Sequence, residues 1–322
     1  PKIGVVGAGH LGKHHIKHLS NHKGVDFIGV FDINEDSLKN ICDEFSVRPF
    51  KSLEELISLC DAVNIVTPTN THFDIARKFL NQMKDVFIEK PITNTVEEAL
   101  SLIDLAKTNE CILQVGHIER FNPTINKLKE LVDNPHYIEI ERLAPFQARG
   151  TEVPVVLDLM VHDIDLILEM VNSPLDSIQA SGAKMMSNSI DVAHAHIKFQ
   201  NGVVANLKSS RIAQNYIRKI RTYQKNFYSI TDLMIPQIEL YGLKHHNMFS
   251  EKLKSQEVET NTGLKTLYYE KFIPKNKDAL LEEINDFIHC INTRSKPNVD
   301  GQAGANALEI ALQIENEIFL NE

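Results

Sequence analysis

Cysteine is scarce: Cys42, Cys60, Cys111 and Cys290 are scattered over 322 residues, and no two form a CxxC pair. This excludes a disulfide framework and a zinc ribbon, and it points to a reducing cytoplasm. No apolar run approaches the ~20 residues needed to cross a bilayer. The apolar start, Ile3 to Gly9, reads as a strand rather than a signal h-region, so a soluble protein with no membrane partner is expected. Internal repeats and low-complexity segments are also missing. Basic residues are outnumbered, 34 Lys plus Arg against 43 Asp plus Glu, for a formal charge of -9. A chain built to coat nucleic acid or anionic lipid is thereby excluded, but a small anionic substrate is not.

What is present is ordinary globular composition, with 43% hydrophobic and 24% charged residues, over a length that suggests two domains. Up to residue 122, short β-branched runs (2–6, 25–31, 62–66, 85–89, 112–115) alternate with helical patterns (11–19, 35–45, 71–81, 95–107). Parallel neighbours need long crossovers, so this rhythm predicts a doubly wound parallel sheet. After Pro123 one helix is predicted over 153–171. Alternating runs follow at 177–186, 192–199, 203–210, 218–224 and 237–241, with helices at 277–291 and 306–319. The expected fold is therefore α/β plus α+β: a Rossmann domain over 1–122, then a domain over 123–322 with an open, mostly antiparallel sheet. Its last helix has the option of packing back on the first domain.

Gly7-Ala8-Gly9-His10-Leu11-Gly12 is a GxGxxG turn between the first strand and the first helix. There Gly7 permits the tight turn, Gly9 lets the backbone approach a pyrophosphate, and Gly12 lets helix and strand pack closely. The helix N-terminus then offers free N–H groups to phosphates, with His10 and Leu11 in its first turn. Asp32, twenty positions after Gly12, would accept from the adenosine ribose hydroxyls and repel a 2'-phosphate, which favours NAD over NADP. Asp32 reads alternatively as a turn or cap residue.

Beyond this turn, Gly9-x-x-Gly12-x-x-His15, Thr67-Pro68-Thr69-Asn70-Thr71-His72, Glu89-Lys90-Pro91 and Asp158-x-x-x-His162-x-x-Asp165 occur in that order. Together they resemble the glucose-fructose oxidoreductase/inositol dehydrogenase (Gfo/Idh/MocA) family. The resemblance covers both domains and reaches the helix that begins near Asp300-Gly301. Gly116 to Pro123 and Val156 to Asp165 are most similar to its branch of UDP-N-acetylglucosamine 3-dehydrogenases. One departure is Arg149-Gly150-Thr151-Glu152-Val153, which stands where the family often has Gly-Gly and implies a differently shaped pocket entrance.

The resemblance implies an NAD-dependent dehydrogenase of CH–OH groups, acting on a sugar or sugar nucleotide. The long alternating strands after residue 177 leave one sheet face to be covered, so a homodimer or homotetramer is expected. The dehydrogenase's catalytic residues would be Lys90, Asp158 and His162. Lys90 would donate to the substrate oxygen; on spacing alone it is a solvated lysine. Asp158, His162 and Asp165, at i, i+4 and i+7, share one helix face. His162 suits general-base work at neutral pH, Asp158 would orient it or a hydroxyl, and Asp165 would fix its far nitrogen. Lys90 and His162 both stay open as the base. A salt-bridged face is the bland alternative for the trio, and no metal is expected, since hydride transfer requires none.

Thr67, Asn70, His72 and Glu89 would line the cofactor, with Asn70 equally able to cap a helix starting near Thr71. His117, Arg120 and Asn122 would clasp substrate, with an ion pair as the alternative for Arg120. His15 reads as packing. Finally, residues 192–231 hold no acid but seven bases: Lys198, Lys208, Arg211, Arg218, Lys219, Arg221 and Lys225. These either pair with acidic segments of the fold or a partner subunit, or, Arg211 first, neutralise a substrate diphosphate. A free-inositol or sugar dehydrogenase and a catalytically silent NAD-binding regulator are the competing functions.

Overall fold

The computed structural model describes residues 1–148, 150–243 and 254–320, which form two compact units. The first comprises Pro1–Phe121 and Asp278–Glu309, the second Asn122–Lys277 and Ile310–Glu322. The second unit therefore starts one residue earlier than expected, and residues 278–309 return to the first.

The first unit holds strands β1 (Lys2–Val6), β2 (Asp26–Phe31), β3 (Ala62–Ile65), β4 (Asp85–Glu89) and β5 (Leu113–Gly116) in a parallel sheet of order β2-β1-β3-β4-β5. β3 and β5 are buried along their whole length, as helices on both faces of a parallel sheet require. A single parallel bridge from Pro49 to Val30 adds a vestigial sixth strand beside β2. Counting it gives the dinucleotide-binding order 3-2-1-4-5-6, with the order reversing between β1 and β3. Proline lacks the ladder donor, which keeps that edge to one bridge.

The crossovers are α1 (His10–Asn21), α2 (Glu35–Phe45), α3 (Leu53–Leu59), α4 (Thr69–Asn81) and α5 (Val96–Thr108). Three of them start with a side-chain cap and acids in the first turn: Asn34 on Ser37 N, Ser52 on Glu55 N, and a Thr95–Glu98 capping box. α1 and α4 have neither. These two follow β1 and β3, the strands at the order reversal, and their positive N-terminal ends are left for a ligand.

In the second unit come α6 (Pro123–Leu131), β6 (Tyr137–Leu143), a five-residue π-turn (Val156–Met160), α7 (Val161–Val171) and β7 to β14. The last eight are Leu175–Ala183, Val192–Phe199, Val204–Ser210, Ile217–Gln224, Phe227–Asp232, Gln237–Gly242, Lys254–Thr260 and Gly263–Phe272. The nine strands run β13-β14-β12-β11-β10-β6-β9-β8-β7, antiparallel except for β6 with β9. Alternate residues of β6 and β8 are buried, and the π-turn and α7 pack on β9. The rings of Tyr137, Tyr223, Tyr228, Tyr241 and Tyr269 run side by side across five neighbouring strands, with centroids 4.7–5.9 Å apart.

α8 (Ala279–Thr293) lays Ile284, Phe287 and Ile288 into the first unit's core with Ile3, Leu19 and Phe87. α9 (Gly301–Leu320) begins five residues before the predicted helix. Glycine lowers helix propensity, but here it permits contact: a Cβ on Gly304 would lie 2.7 Å from Val115 Cγ2.

Further along α9, Glu315 is 8% exposed, its Oε1 has no hydrogen-bond partner, and burial pushes its pKa up to about 7. Below about pH 4.5, the ordinary value, folded and unfolded chains are both protonated at this position and nothing is lost. As pH rises to about 7 the unfolded chain ionises first, so stability falls across that window and then levels off, by about 3 kcal/mol at most. Glu315→Gln should therefore raise the thermal midpoint at alkaline pH and leave it little changed below the window. An equal gain at both pH values would contradict this.

Candidate functional site

The glycine turn is built as the spacing requires. Gly7 has φ +111°, and a Cβ there would fall 2.3 Å from Val66 O. A Cβ on Gly12 would fall 2.1 Å from Gly7 O, so either substitution collides with backbone. A Cβ on Gly9 would meet nothing within 4 Å, which leaves open space beside the α1 N-terminus, where His10 and Leu11 are exposed. Asp32 reaches this turn: its Oδ2 accepts from Ala8 N (2.6 Å) and its Oδ1 from Asn34 N (2.7 Å). An uncapped helix end, an unfilled approach at Gly9 and a carboxylate at the end of β2 fit a dinucleotide, the pyrophosphate on α1 and the ribose on Asp32.

Thr67 to His72 behave differently from expectation. α4 starts at Thr69 with Pro68 before it, so Asn70 lies inside the exposed first turn and is not the cap. His72 is 1% exposed. Its Nδ1 is 2.9 Å from Pro91 O and its Nε2 2.8 Å from Thr67 O, which turns its ring nitrogens inward. Burial pushes its pKa down, while the two carbonyls and the Glu89 charge pull the other way. His72 therefore ties the β3–α4 turn to the turn after β4 and does not face a ligand. Thr67, half-buried, accepts at Oγ1 from the Thr71 hydroxyl (2.7 Å).

Lys90 follows β4 at the carboxyl edge of the parallel sheet, half-buried, and joins Pro91 through a cis peptide. Glu89 is engaged internally: its Oε1 accepts from His15 Nε2 (2.9 Å) and its Oε2 from Lys90 N (3.2 Å). Burial alone would raise the Glu89 pKa, but the His15 hydrogen bond, then the Lys90 charge and N–H, hold it below the usual range. His15 does more than pack, and both Glu89 oxygens are engaged within the first unit.

In the second unit, the predicted helix over 153–171 is interrupted by the π-turn, with Val161 N bonded to Val156 O. An i→i+5 bond widens the turn beyond 3.6 residues, which brings positions four apart, Asp158 and His162, closer to one line along the helix. Both are half-buried, and Asp165 is buried. Asp163, also buried, receives Arg142 through Nε (3.0 Å to each oxygen) and through a second guanidinium N–H (2.7 Å). This pair anchors α7 to β6 and was not foreseen.

Arg211 does not reach for phosphate. It is 5% exposed, pairs through Nε with Asp191 Oδ1 (2.8 Å), and donates to the carbonyls of Val153 (2.6 Å), Thr151 (3.2 Å), Gly150 (3.4 Å) and Ile190 (3.2 Å). Ser187 and Ser189 hydroxyls complete its shell. Asp191 also accepts from the backbone N–H groups of Met185, Met186 and Ser187 and from the Ser187 hydroxyl. Burial alone would raise its pKa, but Ser187, Met185 N–H and Arg211 hold it far below the usual range. Arg211 thus fixes the segment 150–153 that leads into the π-turn; Arg149, the first residue of the departing stretch, lies outside the described residues.

Lys198, Lys208, Lys219 and Arg221 likewise pair with Asp176, Glu141, Asp232 and Glu139/Glu141, so with Arg211 five of the seven bases meet an acid of their own unit. Asn122 caps α6 through Oδ1 on Thr124 N (2.9 Å). His117 and Arg120 are buried, at 1% and 9% exposure. Among the described residues no group of three His, Cys, Asp or Glu is arranged to hold a metal, and no helix is long and apolar enough to cross a membrane.

Residues 1–117 match the oxidoreductase family with an NAD-binding Rossmann fold, and residues 142–227 match the GFO/IDH/MocA C-terminal domain. A UDP-N-acetylglucosamine 3-dehydrogenase of Acidithiobacillus ferrooxidans is 33% identical, over 97% of this chain and 96% of its own. A solved structure of that enzyme superposes with a TM-score of 0.89, covering 98% and 97% of the two chains. A myo-inositol 2-dehydrogenase of Thermotoga maritima is 26% identical over 95% of this chain and 93% of its own.

Proposed function

Because the chain belongs to the Gfo/Idh/MocA family of NAD-binding oxidoreductases, we propose that it oxidises a secondary hydroxyl of a sugar nucleotide, C3 of UDP-N-acetylglucosamine, to a ketone. The observation that carries the substrate is the 33% identity extending over 97% of the chain, through the glycine turn and the Asp158–His162 helix alike. NAD supplies the hydride acceptor. Gly7, Gly9 and Gly12 with the α1 N-terminus hold its pyrophosphate, and Asp32 its adenosine ribose.

Lys90 donates to the substrate oxygen and stabilises charge as the hydroxyl proton leaves. His162 takes that proton, and Asp158 orients the hydroxyl or the ring. The buried, unpaired thiols Cys42, Cys60 and Cys290 suit a reducing cytoplasm. The sheet face carrying the tyrosine run is where a second copy would sit in a homodimer or homotetramer.

The test incubates the protein with NAD and, separately, UDP-sugars, inositols and free hexoses, and follows NADH absorbance. Turnover of UDP-N-acetylglucosamine is expected. Activity on unphosphorylated polyols alone would replace this reading with an inositol or sugar dehydrogenase, and tight NAD binding without any turnover would leave a regulator.

A further inference from the structure

His15 sits one turn after Gly12, on the helix whose N-terminus fits the pyrophosphate, yet it is 1% exposed and turned onto the sheet. Asn64, fully buried in β3, places its Nδ2 3.1 Å from His15 Nδ1. An amide NH₂ can only donate, so Nδ1 is the acceptor and the ring proton is on Nε2, directed at Glu89 Oε1 (2.9 Å). Glu89 in turn receives Lys90 N–H on its other oxygen. Its carboxylate lies against β5 where a side chain is missing: a Cβ on Gly116 would be 2.9 Å from Glu89 Oε2. A buried chain, Asn64 to His15 to Glu89 to Lys90 N–H, therefore links β3, α1 and β4. On the far side of Lys90, His72 bonds Pro91 O.

We propose that His15 is a positioning residue: by donating to Glu89 it keeps that group a hydrogen-bond acceptor for Lys90 N–H and so fixes the backbone from which Lys90 projects. The proposal rests on the reading of Lys90 as a substrate-facing residue. It adds a path by which the cofactor-binding helix sets that residue's place. The ionisable groups around Glu89 are His15 from α1, His72 from α4 and Lys90 itself; Asn64 and Gly116 are neutral.

The test compares wild type with His15→Leu, which removes the donor, and His15→Gln, whose amide N–H can occupy the Nε2 position. In NAD-free protein, Lys90 N–H should exchange with solvent about tenfold faster or more in His15→Leu, with His15→Gln restoring protection. In turnover, His15→Leu should lower kcat by about ten- to a hundredfold, as expected for a displaced reacting group, and leave KM for the substrate within about twofold. The acid limb of its kcat profile should move to higher pH, because Glu89 without its donor protonates more readily. If the leucine variant does not fold, His15→Asn, too short to reach Glu89, takes its place.

Unchanged Lys90 exchange together with an unchanged pH profile would overturn the proposal. A Lys90→Ala variant that keeps full turnover would overturn the catalytic reading instead. The exchange measurement still decides the positioning claim in that case.

Discussion

Lys90→Ala and His162→Ala should each lower kcat by about 10²- to 10⁴-fold, the range for removing a positioned acid–base group. Lys90 follows β4 at the carboxyl edge of a parallel sheet, where ligands of such folds bind. Its backbone is held on both sides, by Glu89 and by His72 through Pro91 O. A backbone held this way fixes where the side chain starts, which favours a charge placed near a developing alkoxide. Lys90→Met keeps the stem and loses the charge, and it should fail as alanine does. Lys90→Arg should recover little, because a planar fork does not replace a point donor. If Lys90 and His162 act on one proton, the double variant should cost little more than the worse single one. Near-additive losses would show that they act in separate steps. These kinetics are read with saturating NAD and the best substrate of the panel.

Arg211→Ala should destabilise the protein by about 3–5 kcal/mol, the usual cost of breaking a buried ion pair. The guanidinium is the donor for four backbone carbonyls and for Asp191, which is fully buried. Without it Asp191 keeps the Met185, Met186 and Ser187 donors but loses its buried counter-charge, and the segment 150–153 loses its ties to the residue after β9. Arg211→Lys should recover only part, because one ammonium cannot span the same acceptors. Denaturant unfolding checks the loss. Had Arg211 bound a diphosphate, its removal would raise KM for a nucleotide sugar and leave stability near wild type, so measuring both quantities separates the roles.

Where sequence and structure part, the reasons are physical. The first sheet was legible because buried parallel strands are continuous apolar runs and crossovers have helical period, and GxGxxG names its own geometry through three glycines. Its distance from Gly12 singles out Asp32, whose carboxylate reaches the glycine turn at Ala8 N. β6, Tyr137-Ile-Glu-Ile-Glu-Arg-Leu143, alternates through Ile138-Glu-Ile-Glu141, a signal of a strand that Arg142 at an inward position obscures. α9 was read short because Gly301 and Gly304 look like loop residues until Leu113 and Val115 are packed on them.

The π-turn was not legible, since one extra residue in a helix leaves too small a trace in periodicity. Nor were the buried polar pairs. His15 and Glu89 are 74 positions apart, Arg142 and Asp163 are 21, and no local pattern says which acid a base will meet. Arg211 keeps two readings in the sequence for this reason, an acid of its own fold or a diphosphate, and the fold brings Asp191 to it.

The most direct test of the account is a single turnover with UDP-N-acetylglucosamine deuterated at C3, followed by mass measurement of the NADH formed. The account predicts deuterium on the nicotinamide, a keto sugar nucleotide as product and a slowed hydride step. NADH that forms without deuterium, or forms only from a free polyol, would contradict it.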